Sequence, residues 1–401
     1  MDFSQFGLTA SQLYLLLILF AMLLIQALYY FLVMGRMVYR KKRANLPQNS
    51  EAVSVVVCAK NEFHNLSQRL PILLEQKYPD FEVVVVNDAS SDETEYFLKA
   101  CAKVYPEGKL KVVNMPNNVN FFSGKKYPLS IGIKSAKNDI ILLTDADCIP
   151  NSLYWIQEMA NGFTEGKEIV LGYGGYEKDK ISMMTPSEDL GFEFSDTGQK
   201  PPMGLHLLIQ YDTMCTAANM MGFALLGVPY MGVGRNLSYR RSFFFNKGGF
   251  IKHYRIKSGD DDLFVNVNAT RQNTAVVLSE ESFTYSAPKL TYSTWFRQKS
   301  RHLSTGKYYK NKHKLMLAIY PLSVVLFYIS LVLALLYCPW YYSIGMLILK
   351  IILQITAFYG VSKKLRIKKV FIFAPLLELF FVFFNTITGI FSLDHKRIQW
   401  K

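Results

Sequence analysis

The sequence predicts an α/β protein: a doubly wound, mostly parallel sheet in a cytosolic domain flanked by transmembrane α-helices. Two observations carry this. Between Glu51 and about Gly172, short β-branched runs alternate with stretches of helical spacing, the pattern of βαβ units and a parallel sheet. On either side lie long, nearly uncharged apolar segments, and about twenty such residues span a bilayer core. The 401-residue chain therefore divides into an N-terminal transmembrane helix with its basic flank (1–43), a cytosolic domain (44–310) and a C-terminal membrane region of two or three helices (311–401).

Ser11 to Gly35 contains Leu13-Tyr-Leu-Leu-Leu-Ile-Leu-Phe-Ala-Met-Leu-Leu-Ile25 and reads as a transmembrane helix. A cleaved signal peptide would carry its charges ahead of a shorter apolar core, whereas Arg36, Arg40, Lys41, Lys42 and Arg43 follow this one. Such cations stay on the cytoplasmic side. The expectation is a multi-pass protein of the inner (plasma) membrane with its soluble domain in the cytoplasm.

In the middle domain, Val53 to Cys58, Glu82 to Val86, Leu110 to Val113 and Asp139 to Thr144 are apolar runs of the kind covered on both faces. Helical spacing fills Leu66 to Gln76, Asp92 to Val104 and Tyr127 to Ala136. Ligands of such sheets bind at the carboxyl ends of the strands, so Ala59, Asp88 and Asp145 are expected along one rim. Leu205 to Gly234 is apolar but carries His206, Gln210, Asp212 and Asn219, which favours a buried or membrane-surface helix over a spanning one.

Beyond Lys314 the chain returns to the membrane with Leu315 to Cys338, Trp340 to Gly360 and Val370 to Leu393. The basic loop Ser362 to Lys369 is expected in the cytoplasm. If the last segment spans, the basic tail His395 to Lys401 lies outside, against the usual bias. A re-entrant segment broken near Pro375 and Asn385 removes that conflict, and both arrangements stay open. Lys350 and Glu378 lie roughly 12 to 17 Å from the basic loop at about 1.5 Å per residue, so they are expected to pair across a hairpin.

The formal charge of +14 does not point to nucleic acid. The cations cluster at 36 to 43, 297 to 314 and 363 to 369, where membrane segments meet water and anionic lipid headgroups attract them. Neither zinc-like Cys pairs nor a nucleic-acid motif appears. The five scattered cysteines speak against a disulfide framework and fit a reducing cytoplasm.

The chemistry is concentrated in a few clusters. Asp145 and Asp147 end the run Ile140-Ile-Leu-Leu-Thr-Asp-Ala-Asp-Cys148. Residues i and i+2 of a strand share a face, and two converging carboxylates suit Mg²⁺ or Mn²⁺ bridging to a diphosphate. Val86-Asn-Asp-Ala-Ser-Ser-Asp-Glu-Thr94 offers carboxylates to a base or ribose, and Ser123-Gly-Lys-Lys-Tyr127 offers cations to phosphates. Lys257-Ser-Gly-Asp-Asp-Asp-Leu-Phe264 supplies a second acidic group, and Trp295 to His302 sets Gln298 and Arg301 on one helical face. Each has a plainer reading alone: an acidic loop, helix capping, a solvated lysine pair, a charged turn, a lipid-headgroup contact.

Their order is specific. Strand-end Asp, Lys, D-A-D, G-D-D and Q-x-x-R beside a membrane segment resembles the membrane-bound family 2 glycosyltransferases, which include synthases of cellulose, chitin, hyaluronan and poly-N-acetylglucosamine. The resemblance covers roughly Val53 to His302 and the flanking helices. It implies a GT-A fold, a nucleotide-diphosphate sugar as donor with a UDP-sugar foremost, a divalent metal, and a lipid or glycan acceptor. By position, it places Lys60 and Glu62 near the base, Asp88 at the nucleoside, Lys125 at the diphosphate, Asp145 by the sugar and diphosphate, and Asp147 on the metal. Gly259-Asp-Asp261 corresponds to the segment with the catalytic base, for which Asp261 is preferred over Asp260. Gln298 and Arg301 match the motif near acceptor and diphosphate, and Met231 to Arg241 the acceptor-side segment. His302 stands where the family has Trp, which departs from the processive pattern and favours a lipid or lipid-linked acceptor over a growing polysaccharide. An inactive membrane scaffold or nucleotide sensor is the alternative of another class, although the base and metal carboxylates are all present.

Overall fold

The computed structural model describes residues 8–40, 48–116, 124–176, 200–367 and 369–391. Ten strands are set in chain order: β1 Val53–Ala59, β2 Phe81–Asn87, β3 Leu110–Asn114, β4 Ile140–Asp145, β5 Cys148–Pro150, β6 Ile169–Leu171, β7 Gly174–Tyr176, β8 Leu237–Arg240, β9 Thr274–Val276 and β10 Thr284–Ser286. Seven form a sheet of order β3-β2-β1-β4-β8-β6-β9, and β5-β10-β7 form a small second sheet. The first four are parallel, and β8 runs antiparallel to both of its neighbours. The sheet is thus mostly parallel with helices on both faces, as the βαβ pattern requires.

Every residue of β1 is buried, and alternation divides its side chains between two cores. Val53, Val55 and Val57 pack with Leu66, Leu70, Phe97 and Trp155, whereas Val56 and Cys58 pack with Leu129, Ile133 and the Met203–Leu225 helix. The second layer sits close because Gly132 faces the sheet. A Cβ there would lie 2.6 Å from Val56 Cγ1 and 2.9 Å from Val86 Cγ2.

The first helix of the domain is Phe63–Leu74 rather than a run from Leu66. Its earlier start has a tertiary cause: Asp92 Oδ2, from the loop after β2, accepts the Phe63 N–H at 3.1 Å. The other Asp92 oxygen accepts the Thr94 N–H at 3.1 Å and starts the Thr94–Val104 helix. The apolar stretch from Leu205 forms a largely buried helix that ends at Leu225, followed by Gly227 with φ of +89°.

Among the described residues, four helices are long and apolar enough to cross a membrane: Ala10–Val38, Asn311–Tyr337, Trp340–Lys364 and Val370–Gly389. The first opens with a capping box, Thr9 Oγ1 accepting the Gln12 N–H and Gln12 Oε1 the Thr9 N–H. In the fourth, a 3₁₀ turn Val370–Phe373 leads into Ala374–Phe391. Pro375 therefore begins this helix instead of breaking it, and the helix continues through Asn385. Lys41 to Arg43, Ser123 and the tail His395 to Lys401 lie outside the described residues.

The expected intramembrane pair is present. Lys350 Nζ lies 2.5 Å from Glu378 Oε2, with the two side chains 0% and 3% exposed. Gln354 Oε1 also accepts from Lys350 at 3.3 Å, and Tyr30 donates to Glu378 at 3.1 Å, as does Tyr320. Each of the four membrane helices thus contributes to one buried polar cluster.

Candidate active site

The rim of the parallel sheet collects the residues singled out by the motifs. After β1, Lys60 Nζ lies 3.8 Å from Asp88 Oδ2 beyond β2. The two loops are laced together: the Asn61 N–H donates to Ser90 Oγ at 2.9 Å, and Asn61 Oδ1 accepts the Ser91 N–H at 2.8 Å. The Glu62 N–H donates to Thr94 Oγ1 at 3.1 Å, which keeps Glu62 on the same rim.

Asp145 closes β4, and a turn at Ala146 and Asp147 leads directly into β5. The two carboxylates converge because of this turn, not through alternation along a continuous strand. Asp145, Asp147 and Cys148 each bring one ligand atom within 4.8 Å of the others. Burial keeps the Cys148 thiol well above its ordinary pKa, reinforced by the charges of Asp147 and Asp145, and the thiol donates to Asp147 Oδ1 at 3.6 Å. The hard donors of the set are therefore carboxylate oxygens, which fit Mg²⁺ or Mn²⁺ together with diphosphate oxygens.

The cations surround this turn. Lys125 pairs with Asp145 and lies 3.9 Å from Asp260 Oδ2, so one ammonium joins the D-A-D turn to the G-D-D segment. Burial opposes its charge, but Asp145 and Asp260 raise the Lys125 pKa well above the ordinary value. Burial likewise pushes Asp145 up, yet Lys125, then Arg235 and Arg301, outweigh it and hold Asp145 below the usual carboxylate range. Asp147 shifts the other way, raised by burial and by the Asp145 charge.

Gly259, at φ of +90°, turns the chain so that consecutive aspartates face different partners. Asp260 faces Lys125. Asp261 is occupied with backbone: Oδ2 accepts the Gly234 N–H and Oδ1 the Asp262 N–H, each at 2.7 Å, capping the Asp262–Asn268 helix. Burial, then the charges of Asp260 and Asp262, push Asp261 up to about 7. Asp262 is buried and accepts from Thr305 and, at 2.8 Å, from Tyr309.

Gln298, Arg301 and His302 lie on the helix Tyr292–Leu303. Lys299 of this helix pairs with Asp212 of the Met203–Leu225 helix, and Tyr176 donates to Gln298 Oε1 at 3.5 Å. His302 keeps an exposed side, yet close packing and the cations Arg301, Lys299, Arg235 and Lys289 hold its imidazole well below its ordinary pKa.

Arg235 is a residue the motif reading did not single out, although it lies within Met231 to Arg241. Its guanidinium stands 4.4 Å from the Tyr176 ring centre and donates to Gly175 O at 2.8 Å and Ser286 Oγ at 3.0 Å. Its own carbonyl accepts from Thr144 and Thr284 at 3.1 and 3.0 Å. It pins the small sheet to the end of β4. The signal was a cation in a Gly-x-Gly-Arg turn, which has no meaning until the fold brings that turn beneath the D-A-D pair.

The chain is similar to known glycosyltransferases. Residues 54–219 match the family model described as Glycosyl transferase family 2. The probable glycosyltransferase YdaM of Bacillus subtilis is 23% identical over 275 residues, covering 67% of this chain and 58% of that protein. The poly-beta-1,6-N-acetyl-D-glucosamine synthase of Staphylococcus epidermidis is 29% identical over 102 residues, 25% of this chain and 23% of that one. The chain thus spans between 23% and 58% of the length of these curated relatives. Among solved structures, the mannosyltransferase PcManGT from Pyrobaculum calidifontis, in complex with GDP-Man and Mn²⁺, superposes with a TM-score of 0.58 at 16% identity, covering 96% of this chain and 100% of that one. That likeness establishes a shared GT-A fold. Within this mostly parallel α/β framework, residues 54–219 are similar to the glycosyl transferase family 2 domain.

Proposed function

We propose that this chain is an inverting glycosyltransferase that moves a sugar from a nucleotide-diphosphate sugar to a lipid or lipid-linked acceptor at the cytoplasmic face of the inner membrane. The observation that carries it is Lys125, paired with Asp145 and 3.9 Å from Asp260, which puts a phosphate-binding cation between donor carboxylates and a candidate base. Lys60, Glu62 and Asp88 would take the nucleoside. Asp145 would face the sugar and diphosphate. Asp147 would hold Mg²⁺ or Mn²⁺, which when bound offsets charge on the diphosphate.

The geometry favours Asp260 as base over the Asp261 preferred from sequence. Both Asp261 oxygens already accept backbone N–H groups, whereas Asp260 faces the cation beside the donor site. Asp260 would take the acceptor hydroxyl proton as that oxygen bonds to the anomeric carbon. The bond from that carbon to the diphosphate oxygen breaks, and the nucleoside diphosphate leaves. Lys125 and Arg301 meet the charge that develops on it. A single displacement inverts the anomeric centre, and Gln298 and His302 would line the acceptor side.

The test is a panel of nucleotide sugars, UDP- and GDP-linked, incubated with detergent-extracted protein, Mn²⁺ or Mg²⁺ and extracted membrane lipids, with product masses read out. A single glycolipid mass supports the proposal. A ladder of masses would replace it with a processive synthase, and no donor turnover at all would leave a scaffold or nucleotide sensor.

A further inference from the structure

Lys126 follows Lys125 in the chain but serves a different partner. Its side chain is 3% exposed, and its ammonium donates to three backbone carbonyls: His253 at 2.9 Å, Ile256 at 2.7 Å and Ser258 at 2.7 Å. An ammonium has three donors, and all three are used. The hydrogen-bond acceptors are neutral peptide groups, while the charges of Asp260, Asp262 and Asp261 attract the ammonium from further off. Every one of them belongs to the segment that delivers Gly259 and Asp260.

That segment runs partly along the surface. Ile251, Lys252, Arg255 and Lys257 are exposed, and only Phe250 and His253 are buried before Gly259. A second contact binds it to the same short stretch. A Cβ on Gly124 would lie 3.1 Å from Lys257 O, so the 124–126 stretch meets the 253–258 segment at both Gly124 and Lys126. The stretch that offers Lys125 to the donor site also shapes the approach to Asp260.

We propose that Lys126 is a positioning residue, whose carbonyl cage fixes the 253–258 segment and through it the place of Asp260 opposite Lys125. Because Lys125 and Lys126 are covalent neighbours, the donor-side cation and the base-bearing segment are set by one short stretch of backbone. The part concerning Asp260 rests on the proposed function. The part concerning the segment does not.

The test uses the full chain in detergent, with Lys126→Met and Gly124→Ala as separate variants. Hydrogen exchange of amides 253–262 is expected to quicken at least tenfold in Lys126→Met, while the amides of β1 and β4 stay protected. Binding of UDP with Mn²⁺ is expected to stay within twofold. With the best donor of the panel, kcat is expected to fall at least tenfold and donor KM to change less than threefold. Gly124→Ala, which adds one methyl against Lys257 O, is expected to give the same pattern more weakly and serves if Lys126→Met does not fold. Unchanged exchange at 253–262 in the folded variants would overturn the inference, as would a loss of UDP affinity parallel to the loss of kcat. If the wild-type chain transfers no sugar, the proposed function fails while the exchange result still decides what Lys126 holds.

Discussion

Lys125 Nζ lies 3.9 Å from Asp260 Oδ2 while paired with Asp145, so a single ammonium touches both acidic motifs. Asp260→Asn is expected to reduce transfer by about 10²–10⁴-fold, the range that a positioned base contributes, and to leave UDP binding within a few fold. Isothermal titration beside turnover measurements checks both. Full turnover in this variant would remove Asp260 as the base.

Asp261→Asn separates the two candidates by pH. Burial and the neighbouring carboxylates hold Asp261 up to about 7, so it carries a proton below that pH and is ionised above it. With Asp260 as base, the Asp261→Asn variant keeps measurable turnover, lowered because its amide can accept only one of the two backbone N–H groups. Were Asp261 the base, wild-type kcat/KM would fall tenfold for each pH unit below about 7, and the Asn variant would be inactive.

Asp147→Ala is expected to abolish the Mn²⁺-dependent part of UDP binding and to leave the metal-independent part. Asp147 is raised by burial and by Asp145, so a proton competes with the cation there. Apparent Mn²⁺ affinity should therefore rise with pH, a trend that Asp147→Ala removes. Titrations at several pH values check the sign.

Lys350→Leu is expected to destabilise the detergent-extracted protein by about 3–5 kcal/mol, since it strands the buried Glu378 carboxylate. Adding Glu378→Leu should recover part of that loss. A double-mutant cycle on thermal unfolding reads the coupling, and additive effects would mean that the pair contributes nothing as a pair.

How far these features could be read from sequence depends on where their causes lie. β1, β2 and β4 were legible because burial on both faces writes a largely apolar run, whereas the edge strand β3, expected to be covered on both faces, shows only through half-buried Leu110, Val112 and Val113. β5, β7 and β10 have three residues each, too few to show a period, and Arg235 holds them from a distant turn. The start at Phe63 rests on Asp92, 29 residues away, which local spacing does not encode. The acidic motifs were visible as a series, but the division of labour between Asp260 and Asp261 depends on the direction in which Gly259 turns the chain. Lys350 and Glu378 were legible together because two lone charges at equal depth in lipid have few other ways to exist.

The polar cluster around Glu378 bears on how the chain enters the bilayer. A charged residue at the centre of a lone helix costs about 2.5–3.5 kcal/mol to insert, and the last two helices each carry one. Inserting as a closed hairpin, they can neutralise each other on the way. Tyr30 and Tyr320 belong to helices made earlier in synthesis, so the hydroxyls that receive Glu378 are waiting when it arrives. A ribosome that stopped before residue 370 would release a bundle with an ammonium in its seam and no carboxylate to neutralise it.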